Sequence, residues 1–205
     1  MRYRIKVCGI TKTEDALYAE ELGAYAIGFI FYPKSPRYIE PEKAAQIAEK
    51  IKIKKVGVFV NENPEIINNI SKIVKLDYVQ LHGTETAAEC NAIQNKIIKN
   101  IRTVDDIKTY NSACMFLVDA PDTKNWGGTG KIADWSFARK VKQSGKTIML
   151  SGGLSVDNIE KAISYVQPDY IDISSSLEKS PGIKDHGLMK RFFDKINIYG
   201  ENRND

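Results

Sequence analysis

The chain has no long apolar run and no paired cysteines. No stretch of its 205 residues approaches the roughly 18 apolar residues of a membrane span, and Lys6 interrupts the N-terminal strand where a signal peptide would be apolar. The three cysteines, Cys8, Cys90 and Cys114, are far apart and form no Cys-x-x-Cys pair, which argues against a disulfide framework or a zinc site. We therefore expect a cytoplasmic protein that binds neither a membrane nor a metal.

Charge of one sign is also scarce. The formal net charge is only +4, and the lysines are scattered among acidic residues as on a solvated surface. A nucleic-acid interface would need a concentrated basic stripe, so we expect no nucleic-acid partner. A local basic site that binds an anionic small molecule is still an open alternative. The hydrophobic content of 42% is enough for a full core.

Short β-branched runs alternate with longer amphipathic segments along the whole chain. Eight strands are predicted, at residues 3–7, 26–31, 55–60, 78–81, 96–100, 115–118, 147–150 and 170–173. Eight helices are predicted after them in turn, at residues 13–22, 41–51, 64–74, 86–95, 104–110, 135–144, 156–166 and 183–197.

Such strict alternation requires parallel strands joined by crossover helices. An open doubly wound sheet would seldom need eight units in so short a chain, whereas a closed barrel uses all eight and leaves no edge. We therefore predict an α/β protein with a (β/α)8 TIM barrel as a single domain over residues 1–199, followed by a polar tail at residues 200–205.

Small, polar or reactive residues follow seven of the predicted strands. They are Cys8-Gly9, Pro33-Lys34-Ser35-Pro36-Arg37, Asn61, His82-Gly83, Asp119, Ser151-Gly152-Gly153 and Ser174-Ser175-Ser176. Because barrel enzymes place their sites at the C-terminal ends of the strands, we expect these residues to surround one site.

Two of these residues carry reactive groups, Cys8 and Asp119. A thiol at a strand-to-loop junction is held rigidly and faces a cleft, as acid–base or nucleophilic chemistry needs; the alternative is a buried small hydrophobe, which we expect for Cys90 and Cys114. A carboxyl group at a barrel mouth can act as a general acid when burial or a neighbouring anion favours its protonated form. The alternative for Asp119 is a cap or a loop hydrogen bond.

The loops after strands seven and eight predict a phosphate site. Gly152 and Gly153 lead into a helix, and Ser174 and Ser175 follow the last strand. Small residues let backbone N–H groups approach an anion, and this pair of loops is a frequent phosphate site in barrels. The alternative for the glycine pair is a tight turn.

Three further features have open interpretations. Arg37 lies in a proline-flanked loop, where its guanidinium could take a carboxylate bidentately or could simply be exposed. His82 is interpreted as a residue that lines the site and not as a catalyst. The segment Gly127-Gly128-Thr129-Gly130 is either a loop that closes over a ligand or a turn.

Six groups of residues occur in one consistent order from the first strand to the seventh. They are Lys6-Val7-Cys8-Gly9-Ile10-Thr11, Gly28-Phe29-Ile30-Phe31 with Ser35-Pro36-Arg37-Tyr38, Val56-Gly57-Val58-Phe59-Val60-Asn61, Val79-Gln80-Leu81-His82-Gly83, Gly127-Gly128-Thr129-Gly130 with Asp134-Trp135, and Leu150-Ser151-Gly152-Gly153-Leu154 with Asn158. Together they resemble the phosphoribosylanthranilate isomerase family of tryptophan biosynthesis.

The resemblance implies an Amadori rearrangement of N-(5-phosphoribosyl)anthranilate that needs no metal and no cofactor. It assigns the general base to Cys8 and the general acid to Asp119. An unperturbed thiol titrates near ~8.5, so a modestly lowered pKa would make Cys8 a competent base. Lys6 lies on the same strand face by period-two alternation, and we expect it to stabilise the thiolate.

The resemblance also implies the binding roles. Arg37 would hold the anthranilate carboxylate, and Asp172 would lie near the ribose. The residues expected at the phosphate are Gly152, Gly153, Ser174 and Ser175. The partner is then a phosphorylated small molecule, and family members occur as monomers or homodimers.

Two departures and two rival interpretations accompany this resemblance. The family usually has a hydroxyl residue where this chain has Ala120, and a glycine where it has Ser176, whose side chain would be strained at a positive φ. One rival is the ribonucleotide isomerase of histidine synthesis, which uses paired aspartates and is disfavoured by Cys8. The other is a non-catalytic barrel that senses a phosphorylated metabolite and would not need both Cys8 and Asp119.

Overall fold

Eight parallel strands close into a barrel in sequence order, and β8 pairs with β1. The computed structural model describes residues 3–120 and 132–201. The barrel strands are β1 (Arg4–Cys8), β2 (Ala26–Ile30), β3 (Lys54–Phe59), β4 (Tyr78–Leu81), β5 (Lys96–Asn100), β6 (Met115–Val118), β7 (Ile148–Leu150) and β8 (Tyr170–Ile173). The helices are α1 (Thr13–Glu21), α2 (Pro41–Ala48), α3 (Pro64–Val74), α4 (Ala87–Asn91), α5 (Asp106–Thr109), α6 (Trp135–Gln143), α7 (Ile159–Val166) and α8 (His186–Glu201).

This architecture confirms the predicted (β/α)8 barrel, although α4 and α5 are shorter than predicted and the segment after β8 differs. The segment after β8 is not a helix from residue 183: it forms a 3-10 turn (Ser175–Leu177) and an antiparallel hairpin of β9 (Glu178–Ser180) and β10 (Ile183–Lys184) before α8 begins. Gly182 at the hairpin turn has φ +80°, which a glycine adopts without strain. None of the helices within the described residues is long and apolar enough to cross a membrane.

Local side-chain chemistry explains where several helices begin. The Asn63 side chain accepts a hydrogen bond from the Glu65 backbone N–H ahead of α3, with Pro64 at the first helical position. Thr86 and Glu89 form a capping box at α4. Asp134 accepts hydrogen bonds from two backbone N–H groups at the start of α6. These caps fix the points at which the chain turns back towards the barrel.

Two apolar layers make up the core. The larger lies between barrel and helices, and the smaller fills the barrel interior with Ala26, Val56, Ile98, Met115, Leu117, Met149 and Tyr170. Because strand residues alternate between faces, every second residue of each strand lines the barrel interior up to the C-terminal end of the strand. Towards the C-terminal ends it becomes polar, since Lys6, Gln80 and Asp172 are buried there.

Candidate active site

Cys8 ends β1 and points into the barrel mouth. Its side chain is buried, and β1 pairs with β2 so that Cys8 lies opposite Gly28. A Cβ atom placed on Gly28 would lie 2.8 Å from the Cys8 sulfur and 2.9 Å from Lys6 Cε, closer than van der Waals contact allows. The glycine therefore provides the space in which the thiol and the lysine stem meet.

The surroundings of Cys8 make its thiol less acidic than an unperturbed thiol. Burial raises the pKa of Cys8, and the nearby Asp172 carboxylate adds to that rise, whereas the Lys6 and Lys184 ammonium groups act in the opposite direction. The net effect is a raised pKa, opposite to the modest lowering that would favour the thiolate. Depth of burial, which alternation along one strand does not reveal, is the reason.

Lys6 is a charged group at the centre of the barrel. Burial acts to lower its pKa, but the Asp172 carboxylate and Cys8 outweigh burial, and the pKa is raised. Lys6 Nζ donates to Asp172 Oδ1 at 2.9 Å and to Gln80 Oε1 at 2.8 Å. Since β1 and β4 are not neighbours, the second bond crosses the barrel interior.

These contacts extend to the predicted acid. Gln80 Nε2 lies 3.2 Å from His82 Nδ1, and His82 Nε2 lies 3.4 Å from Asp119 Oδ2. Five buried or nearly buried side chains thus run across the barrel mouth as an interior polar row, in the order Asp172, Lys6, Gln80, His82 and Asp119. The row places Cys8, next to Lys6, and Asp119 in one connected site.

Asp119 directly follows β6 and lies beneath the loop that follows β7. Its Oδ1 accepts a hydrogen bond from the Ala120 backbone N–H at 2.7 Å. A Cβ atom on Gly152 would lie 2.9 Å from Asp119 Oδ1 and 2.5 Å from the Ala120 nitrogen, and Gly152 has φ +81°. Both the close approach and the backbone conformation require glycine there.

The loops after β7 and β8 contact each other, as a shared phosphate site would need. The Ser176 hydroxyl donates to the Leu154 carbonyl at 2.6 Å, and the Ser174 hydroxyl donates to the Cys8 carbonyl at 3.1 Å. Asn158 holds the glycine loop by donating to the Gly153 carbonyl at 2.8 Å. Ser176 belongs to the 3-10 turn and does not have a positive φ, so its side chain is accommodated without the strain that we considered.

Arg37 is buried, so it is not an exposed arginine. Its guanidinium grips Glu178 on β9: Nε lies 2.9 Å from Oε1, and Nη2 lies 2.7 Å from Oε2. Lys184 on β10 donates to the same carboxylate at 2.8 Å and to the Ser174 carbonyl at 3.2 Å. Burial alone would raise the pKa of Glu178, but Arg37 and Lys184 outweigh it and lower that pKa.

The structure gathers most of the predicted site residues at one face of the barrel. The interior polar row includes Asp119, His82 and Asp172, and Cys8 lies beside it. Gly152 lies against Asp119, the Ser174 hydroxyl bonds the Cys8 carbonyl, and Arg37 lies against Gly9, the residue after Cys8. Sequence reasoning missed Gln80, Glu178 and Lys184. The alternation that places Gln80 on the same face as His82 was a usable signal, whereas the hairpin residues gave none.

Other predictions have mixed outcomes. Cys90 is buried as expected, but Cys114 is exposed and not in the core, because it lies one residue before β6, all of which is buried. The segment Gly127-Gly128-Thr129-Gly130 lies outside the described residues. Across residues 3–120 and 132–201, no group of three or more His, Cys, Asp or Glu side chains is placed to hold a metal ion.

A (β/α)8 barrel with a thiol and a carboxyl group joined by buried polar side chains defines an enzyme site of the acid–base type. The family described as N-(5'-phosphoribosyl)anthranilate (PRA) isomerase matches residues 5–195 of the chain. The chain therefore belongs to the N-(5'-phosphoribosyl)anthranilate isomerase family, and it is an isomerase of the aldose–ketose type.

Individual relatives agree with this membership. The chain is 44% identical over 197 residues to N-(5'-phosphoribosyl)anthranilate isomerase of Trichlorobacter lovleyi, covering 92% of this chain and 95% of that protein. It is similar to the crystal structure of the isomerase from Thermotoga maritima, with TM-score 0.86 and 39% identity over 95% of this chain and 98% of that one. A phosphoribosyl anthranilate isomerase in complex with reduced 1-(o-carboxyphenylamino)-1-deoxyribulose 5-phosphate has TM-score 0.83 and 38% identity over the same shares, 95% and 98%.

Proposed function

We propose that Cys8 is the general base and Asp119 the general acid with which this isomerase converts N-(5-phosphoribosyl)anthranilate into 1-(2-carboxyphenylamino)-1-deoxyribulose 5-phosphate in tryptophan biosynthesis. The observation that carries the assignment is the interior polar row, which connects the surroundings of the thiol to the carboxyl group through buried contacts. If Cys8 and Asp119 had only structural roles, buried polar side chains would not need to connect them through the barrel interior.

Asp119 acts first. It gives its proton to the ribose ring oxygen while the bond from that oxygen to carbon 1 breaks, and the nitrogen lone pair forms a protonated Schiff base. The positive nitrogen makes the proton on carbon 2 acidic. The Asp119 carboxylate that remains keeps the Ala120 N–H on Oδ1 and faces His82 on Oδ2.

Cys8 acts second, as a thiolate that removes the proton from carbon 2. The electron pair of that bond neutralises the Schiff base, and protonation at carbon 1 with formation of the carbonyl at carbon 2 gives the product. Carbon 1 is reduced and carbon 2 oxidised within one molecule, so the atoms and electrons balance without a co-reactant. Lys6 and Lys184 favour the thiolate, against a burial that favours the thiol.

Arg37 is proposed to bind the anthranilate carboxylate. Glu178 accepts from Nε and Nη2, which uses one edge of a guanidinium with five N–H donors. The opposite edge, formed by Nη1 and Nη2, has the fork geometry that a second carboxylate fits. Glu178 thereby holds the arginine in place for the substrate.

The phosphate is proposed to lie between the loops that follow β7 and β8. Gly152, Gly153 and Ser175 can offer backbone N–H groups, and Ser174 adds a hydroxyl. The direct contact of the two loops through the Ser176 hydroxyl supports this placement. His82 and Asp172 are proposed to line the ribose between the two charged ends.

We further infer that the protein works in the cytoplasm as a monomer or a homodimer. A free thiol at position 8 is required by the chemistry, and all three cysteines are unpaired, as a reducing compartment favours. Light scattering of the purified protein distinguishes the two oligomeric states.

The test uses the fluorescence of freshly made N-(5-phosphoribosyl)anthranilate, which falls as it is converted. Purified protein should abolish the fluorescence rapidly, and Cys8→Ala should leave it at the spontaneous rate while its thermal unfolding matches the wild type. Conversion by Cys8→Ala at the wild-type rate would show that Cys8 is not the general base. No conversion by the wild type would contradict the proposed reaction itself.

A further inference from the structure

Gln80 is the one member of the interior polar row to which the reaction assigns no task. It lies on β4 with only 2% of its surface exposed. A buried primary amide must satisfy both its oxygen and its nitrogen, and here its two ends contact Lys6 and His82. The orientation of the amide therefore decides what each neighbour can do.

Lys6 sets that orientation. Its ammonium group has only donors, and Asp172 keeps it charged, so only the amide oxygen of Gln80 can face it at 2.8 Å. The amide nitrogen must then face His82 Nδ1, 3.2 Å away. Because an amide NH2 only donates, Nδ1 has to be the acceptor and cannot carry a proton.

The protonation of Nδ1 determines what the other ring nitrogen of His82 can do. With Nδ1 unprotonated, His82 is neutral and carries its proton on Nε2, the atom 3.4 Å from Asp119 Oδ2. Oδ1 already has the Ala120 N–H at 2.7 Å. Once Asp119 has given up its proton, each carboxylate oxygen thus faces one N–H donor, and such donors matter most where charge develops.

We infer that Gln80 is a positioning residue that fixes His82 in the Nε2–H tautomer and so directs a hydrogen-bond donor at the carboxylate that Asp119 becomes during the reaction. The inference rests on the proposed role of Asp119 as the acid. Asp172 keeps Lys6 charged, Lys6 orients the Gln80 amide, and the amide sets the tautomer of His82. The proton transfer at the end of β6 therefore depends on the ion pair between β1 and β8.

The tautomer can be measured directly, because the chain contains only two histidines. Protein labelled with ¹⁵N in histidine gives two imidazole spin systems, and His186→Asn assigns the one that remains to His82. We expect the His82 spectrum at neutral pH to show a protonated Nε2 and an unprotonated Nδ1. A protonated Nδ1 in the wild type would overturn the inference.

Gln80→Glu is the informative variant. Its carboxylate still accepts from Lys6 but can only accept from His82, so Nδ1 should become protonated. We expect that change in the ¹⁵N spectrum, with kcat lowered on the order of 10- to 100-fold and KM changed much less. An unchanged tautomer together with unchanged kcat would contradict the role.

Gln80→Met is the matched control, since it keeps the length of the side chain but has neither a donor nor an acceptor for the ring. The His82 tautomer should then become mixed, and kcat should fall less than in Gln80→Glu. A wholly Nε2–H ring with full kcat in Gln80→Met would also overturn the inference. Because the spectrum is read without substrate, these outcomes are distinct from a failure of the proposed reaction, which the wild-type fluorescence assay reports.

Discussion

Two lysines in this barrel are equally inaccessible, but they face opposite sides of the sheet. Lys6 on β1 is 0% exposed and Lys99 on β5 is 1% exposed, and each pairs with a buried carboxylate, at 2.9 Å and 2.7 Å respectively. Lys6 points into the barrel and joins the row that leads to Asp119. Lys99 lies outside the barrel interior, over Glu85 and the Gly83 carbonyl.

The Lys99 cluster is a closed structural unit. Glu85 Oε1 accepts from the backbone N–H groups of Asn61 and Gly83, its Oε2 accepts from Lys99, and the ammonium lies 5.1 Å from the centre of the Tyr110 ring. These bonds tie the loops after β3 and β4 to β5. Burial of a charge therefore does not mark a catalytic group by itself; the face of the strand on which the charge lies is what separates the two proposed roles.

The largest effect should come from the two groups proposed to react, Cys8 beside Lys6 and Asp119 at one end of the row. Cys8→Ser and Asp119→Asn should each lower kcat by roughly 10²- to 10⁴-fold, because each removes a proton-transfer group from the mechanism. Thermal unfolding should stay close to the wild type, since Asn has the shape of Asp and Ser differs from Cys by a single, smaller atom. Near-normal turnover in either variant would contradict the role assigned to that residue.

Lys99→Met should show the opposite pattern. It leaves Glu85 as a buried carboxylate without its cation, and breaking a buried pair in this way costs about 3–5 kcal/mol of unfolding free energy. Urea unfolding measures that loss. Turnover per folded molecule at low temperature should be retained, and a stable but inactive Lys99→Met protein would show that the cluster belongs to the chemistry after all.

Lys6→Met separates electrostatic support of the base from simple packing. The Lys6 charge acts to lower the pKa of Cys8, and its removal leaves the Asp172 carboxylate to raise that pKa further. Alkylation of Cys8 as a function of pH, in a Cys114→Ser background that lacks the exposed thiol, should therefore titrate at higher pH. An unchanged thiol pKa would rule out the proposed stabilisation by Lys6.

The smallest effect concerns the pH dependence of stability. The pKa of Glu178 is lowered because Arg37 and Lys184 outweigh its burial. Its contribution should be complete above the unfolded-state pKa of glutamate, about 4.3, and should be lost as the pH falls through the lower folded value. Urea unfolding from neutral to acidic pH should show that loss. Glu178→Gln should have a lower free energy of unfolding at neutral pH, and that free energy should change less with pH in the acidic range. The same pH dependence in both proteins would contradict the assignment.

The barrel could be predicted because its strands are short apolar runs with regular spacing. Four strands, at residues 78–81, 96–100, 115–118 and 170–173, have the predicted bounds, since each run ends abruptly at polar or small residues. The β9–β10 hairpin could not be predicted in the same way. Glu178–Ser180 is polar and only three residues long. The hairpin is held by residues distant in sequence: Arg37 bonds Glu178, Thr11 bonds the Gly182 carbonyl, and Asp15 bonds the backbone of β10.

The site could be predicted in position but not in its electrostatics. Strand ends and loop glycines placed Cys8, Asp119 and Gly152 at one face, because parallel strands in a barrel all end there. The contact of Gln80 with Lys6 spans 74 positions of sequence, and the pKa of Cys8 depends on burial by strands from the whole barrel. Such properties arise from closure of the sheet and have no signal in any single segment.

The most direct test of the two roles is the kinetic isotope effect of substrate deuterated at carbon 2, measured in single-turnover reactions with Cys8→Ser and Asp119→Asn. If Cys8 removes the carbon-2 proton, Cys8→Ser should make that step rate-limiting and show a large primary isotope effect. Asp119→Asn should make ring opening rate-limiting and suppress the effect. The reverse pattern, a large effect in Asp119→Asn and none in Cys8→Ser, would contradict the account.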